Sequence, residues 1–86
     1  MRDTKYAREI VTAALDYGQR SEGRIERILV KEHGREEIRF SWWKDGRMMM
    51  RPVDLAEDEL LPLFREAIQR GVFSAVFMRD LKLALP

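Results

Sequence analysis

Ile38-Arg39-Phe40-Ser41-Trp42-Trp43-Lys44-Asp45-Gly46-Arg47-Met48-Met49-Met50-Arg51 (residues 38–51) has two bulky runs flanking Lys44-Asp45-Gly46, and reads as a β-hairpin with two unlike faces. A three-residue loop with Gly46 at the positive-φ position sets Trp43 opposite Arg47, Trp42 opposite Met48 and Phe40 opposite Met50. Directly opposed residues share a face, so Ile38, Phe40, Trp42, Met48 and Met50 fall on one side. Arg39, Ser41, Trp43, Arg47, Met49 and Arg51 fall on the other. A two-residue Asp45-Gly46 turn would instead place Arg51 opposite Phe40 among apolar groups, where an unpaired guanidinium costs several kcal/mol, roughly 2–7 for even a neutral polar group. The longer turn is therefore the expectation.

Working outward, residues 24–32 read as a preceding strand joined through His33-Gly34-Arg35, with Val30 opposite Ile38 and Ile28 opposite Phe40. Arg27, Leu29 and Lys31 then share the basic face, with Lys31 opposite Glu37 as an exposed pair worth at most about 1 kcal/mol. Residues 4–17 carry apolar groups at Tyr6, Ile10, Ala13, Ala14 and Tyr17, a helical stripe that stops before Gly18. Asp54 with Glu57 has the spacing of a capping box. Pro62 predicts either a short turn followed by a helix over 62–70 or one kinked helix, ended by Gly71. Ser74 caps a last helix running to Ala84, whose Val76, Met78 and Leu83 spread apolar surface beyond one contact face.

The expected fold is α+β in the order α-β-β-β-α-α: a helix, a three-stranded antiparallel sheet, then two C-terminal helices packed on one sheet face, as a single domain over 1–86. The helix–three strands–helix order over residues 4–70 resembles the double-stranded-RNA-binding domain. That family has a Lys-rich second-helix N-terminus where this chain has Ala56-Glu57-Asp58-Glu59, so none of its binding residues transfer. Residues 36–68 resemble the single-stranded-DNA-binding transcriptional coactivators, which pair a basic aromatic hairpin with a helix.

Charged residues make up 36% of the chain but nearly cancel to +1, so their distribution carries more information than their total. Residues 24–51 hold eight Lys or Arg against five acids, whereas residues 52–86 hold four against six. The chain has no Cys, and no apolar run approaches the roughly 18 residues of a membrane span. The expectation is a cytoplasmic protein with no membrane role. His33 stands alone without a nucleophile or second His, and Glu36-Glu37 alternate faces, so no catalytic or metal site is expected and no cofactor.

The functional expectation is a non-enzymatic binding module. In the first reading, Arg27, Lys31, Arg39, Trp43, Arg47, Met49 and Arg51 bind nucleic acid, with Arg and Lys on phosphates and Trp43 stacking on a base. In the alternative the chain is a protein–protein or homodimerisation module that buries Trp43 and Met49, or the surplus around Val76, Met78 and Leu83.

Overall fold

The computed structural model describes residues 2–86. It is α+β with an antiparallel sheet and two helices, but the element order departs from expectation at its first step. The segment expected to be helical is the strand β1 (Ala7–Gly18), which pairs with β2 (Ser21–Val30), which in turn pairs with β3 (Arg35–Lys44). Beyond β3 lie two short strands, β4 (Arg47–Met48) and β5 (Val53–Leu55), followed by α1 (Glu57–Gln69) and α2 (Ala75–Ala84). The order resembling the double-stranded-RNA-binding domain is thereby lost.

β1 contains Ile10, Val11, Thr12 and Tyr17, whose branched or aromatic side chains lose freedom in a helix and suit a pleated surface. The helical-looking spacing arises from a bulge near Ile10 that resets the alternation partway along the strand. Gln19 and Arg20 then turn the chain with positive φ at both positions, 53° and 62°, and this tight hairpin fixes the long β1–β2 register.

Two further registers differ from expectation. β2 and β3 are joined by residues 31–34, with Gly34 N–H donating to the Val30 carbonyl at 2.8 Å. Val30 therefore faces Arg35 and Ile28 faces Glu37, which moves both apolar residues to the face of Arg39 and Trp43. The β3–β4 turn is the two-residue one: Asp45 and Gly46 have φ of 52° and 77°, and Trp43 faces Met48 rather than Arg47. The chain avoids burying Arg51 by leaving the ladder. Residues 49–52 loop out with Arg51 at φ 63°, and β5 re-enters so that Val53, not Arg51, lies opposite Phe40.

The sheet thus has a polar face and an apolar one, and the polar face is the covered one. Residues 2–6 lie across it: the Tyr6 hydroxyl donates to Asp54 Oδ2 on β5 at 3.0 Å, and the Arg2 guanidinium sits 5.0 Å from the Trp43 ring centroid. Beneath them Ala7, Ile28 and Val30 form a small apolar cluster, with Trp43 and Ala56 also buried.

The helices are not packed on the sheet, contrary to expectation; neither buries a residue, and Arg27–Glu57 and Arg35–Glu59 ion pairs tie the start of α1 to the strands. Asp54 does not cap α1. Ala56 holds the N-cap position and its N–H donates to Glu59 Oε1 at 3.0 Å. α1 runs unbroken through Pro62, while Ser74 caps α2 by accepting the Phe77 N–H at 3.1 Å and Gly71 ends α1 at φ 74°. Among the described residues, no helix is long and apolar enough to cross a membrane.

Candidate nucleic-acid interface

The open sheet face holds a groove of about 590 Å³, floored by Ile25, Phe40 and Trp42 and flanked by Leu15 and Tyr17 on one side and by residues 49–52 on the other. Gly23 makes it flat. A Cβ there would meet the Tyr17 ring at 2.9 Å and the Trp42 ring at 3.4 Å, so its absence lets those rings stack across it at 5.1 Å between centroids, 22° apart. Trp42 keeps 46% of its surface exposed.

The cations on this face follow from register. Lys44 and Arg47 are paired across the ladder two residues beyond Trp42 and share its face, Arg51 lines the groove wall, and Arg27 lies opposite Ile38 beyond Phe40. Of the seven residues expected to form one site, Arg27, Arg47, Met49 and Arg51 are brought to this side of the sheet. Arg27 is committed to Glu57 at 2.9 Å and Glu36 at 3.2 Å, which raise its pKa in that order.

The remaining three sit elsewhere. Lys31 lies in the β2–β3 turn and pairs with Asp3, whose pKa its hydrogen bond lowers. Arg39 is buried with its Nε donating to Asp54 Oδ1 at 3.1 Å, and so is not on an open face. Trp43, expected outside, is 6% exposed, with its indole N–H donating to Ser41 Oγ at 2.9 Å and the Arg24 guanidinium stacked 3.8 Å from the ring centroid. The functional candidates that the sequence reading assigned to the core are Phe40 and Trp42. Gly23 opposite an aromatic was the available signal for them, since a glycine within a strand marks a flat, closely approached surface.

The polar face cannot substitute as a phosphate surface. Glu9, Glu26 and Glu37 are buried there, and Thr12 Oγ1 lies 3.1 Å from Glu9 Oε1 and 3.3 Å from Glu26 Oε2, leaving Glu9 Oε2 without a partner. Burial raises the pKa of Glu26, the Glu9 charge adds to that, and Arg39 opposes it. A raised acid favours its neutral form, so the contribution of Glu26 to stability is complete below the ordinary glutamate range. It is lost as pH climbs through the elevated folded value. Glu26→Gln removes the charge and adds an amide donor beside Glu9. It is expected to raise the melting temperature near neutral pH by several degrees, about 1 kcal/mol for a domain of this size, and to flatten the decline that sets in above the ordinary glutamate range. Thermal melts across that range check this.

Among the described residues no group of three or more His, Cys, Asp or Glu is placed to hold a metal ion. No protein-family model, curated protein or solved structure matches this chain.

Proposed function

We propose that the chain is a non-enzymatic binding module that takes single-stranded nucleic acid across the open face of its sheet. The observation that carries this reading is the groove in which stacked Tyr17 and Trp42, with Phe40, lie open beside Arg51, with Lys44 and Arg47 farther along the same face. Bases offer π-faces to such rings whatever their identity, and each stack contributes roughly 1–3 kcal/mol. Phosphates meet Lys44, Arg47 and Arg51, with Arg27 as a fourth contact once it leaves its carboxylates. A duplex keeps its bases stacked on one another and cannot use the rings, so a single strand is the better fit. The hairpin-and-helix likeness of residues 36–68 to single-stranded-DNA-binding coactivators points the same way.

The test is a titration with mixed-sequence single- and double-stranded oligonucleotides at several salt concentrations. Three to four phosphate contacts give a log–log salt slope of about −2 to −3 for single strands, with double strands binding more weakly. The absence of salt-dependent binding to either near physiological ionic strength removes the proposal.

A further inference from the structure

We propose that Glu9 and Glu26 share one proton through the Thr12 hydroxyl, and that its loss loosens residues 2–4 from the covered face of the sheet. Thr12 on β1 is directly opposite Glu26 on β2, and its Oγ1 lies within hydrogen-bonding distance of both acids, 3.1 Å from Glu9 Oε1 and 3.3 Å from Glu26 Oε2. The hydroxyl has a single hydrogen to donate. With both acids ionised, one carboxylate would therefore face the lone pairs of Thr12 in a buried setting. One proton on the pair completes the chain: Glu26 donates to Thr12, and Thr12 donates to Glu9. Glu26 is the member suited to hold it. It is 1% exposed against 7% for Glu9, and its Oε1 already accepts from Ser41 Oγ at 3.3 Å, a hydroxyl that in turn accepts the Trp43 N–H.

The surrounding cations are committed elsewhere. On β2 Arg24 is paired with Glu22, and on β3 Arg39 is paired with Asp54 of β5 and Glu37 with Arg35. Among the described residues Glu9 Oε2 has no hydrogen-bond partner. Within residues 2–6, Asp3 is paired with Lys31 and Tyr6 donates to Asp54, whereas Arg2 lies over the Trp43 ring. When the proton leaves for solvent, Thr12 can serve only one carboxylate, and repulsion across a poorly solvated space turns the shallower one, Glu9, outward. The Glu9 N–H holds the Arg2 carbonyl at 2.9 Å, so the carboxylate emerges beside Arg2 and draws its guanidinium off the indole. The Lys31 N–H holds the Tyr6 carbonyl at 2.9 Å and anchors the far end, so only residues 2–4 lift.

Acrylamide quenching across pH tests this in the Trp42→Phe variant, where Trp43 is the single tryptophan, with circular dichroism at each point to report the sheet. Quenching is expected to rise severalfold as pH climbs past the ordinary glutamate range, with the sheet signal unchanged. Adding Glu26→Gln, whose amide donates to Thr12 as the protonated acid does, is expected to hold quenching at its low value throughout. Infrared spectra are expected to show a protonated-carboxyl band at pH values where exposed glutamates are ionised, and Glu26→Gln to remove it. Four results overturn the proposal: quenching that stays flat while the sheet is folded, a rise that persists in Glu26→Gln, a rise that comes only with loss of the sheet signal, or absence of the infrared band.

Discussion

Arg39→Glu is expected to leave the domain largely unfolded near neutral pH, not merely impaired in binding. Arg39 is 7% exposed, its Nε is 3.1 Å from Asp54, and its cross-strand neighbour is Glu26. It is the principal cation facing a set of acids that includes Glu9, Glu26 and Asp54. Breaking a buried pair by removing one partner costs about 3–5 kcal/mol, and reversing the charge adds repulsion to an already crowded acidic face. Total stability is about 5–15 kcal/mol for folded domains and sits at the low end for one this small, so most of it is consumed. Tyr6 loses support as well, since its hydroxyl donates to Asp54 and its ring lies under the guanidinium at 5.6 Å. Urea unfolding followed by circular dichroism checks the effect, with Arg39→Met as a milder comparison that removes charge but keeps volume. A variant melting within a few degrees of wild type would mean that the buried network is not holding the sheet. Loss of nucleic-acid binding in Arg39→Glu is accordingly no evidence for a phosphate contact at that residue.

The antiparallel hairpin around Asp45-Gly46, the split of Trp42 and Trp43 to opposite faces, and the caps at Ser74 and Gly71 were legible because each rests on local chemistry. What was not legible depends on places where the chain interrupts its own period. The bulge near Ile10 gives β1 a helix-like apolar spacing, and a single-residue shift in a register reverses every side chain beyond it. The two-residue turn costs a buried Arg51 only if the strand continues without interruption. The loop at 49–52 escapes that cost by leaving the ladder and re-entering at Val53. Polarity alone also inverts the inside and outside of the sheet. Here the acidic, ion-paired face is covered by residues 2–6, while the apolar face stays open. Composition alone cannot reveal this, because buried charges that find partners are compatible with an interior.

The two tryptophans, adjacent in sequence, are expected to answer oppositely to substitution. Trp43 is 6% exposed under Arg24, and its N–H is satisfied by Ser41. Trp43→Ala therefore opens a cavity and strands the Ser41 and Arg24 side chains, for a loss of about 3–5 kcal/mol in stability. Trp42 is 46% exposed and loses mainly its stack on Tyr17, so Trp42→Ala is expected to cost only about 0.5–1.5 kcal/mol of stability. Its effect on single-strand affinity is the larger one: one base stack of roughly 1–3 kcal/mol corresponds to a loss of about 5- to 150-fold. Single-tryptophan variants separate the two. Trp43→Phe leaves Trp42 as the reporter, and its emission is expected to quench on oligonucleotide binding. Trp42→Phe leaves the buried Trp43, whose emission is expected to stay nearly constant. If the quench instead follows Trp43, the strand lies on the acidic face, which requires Arg2 and Arg24 to lift from the indole and phosphates to approach Glu9 and Glu26. Like-charge repulsion across a poorly solvated surface opposes that arrangement, so a quench that tracks Trp42 is the outcome the charges favour.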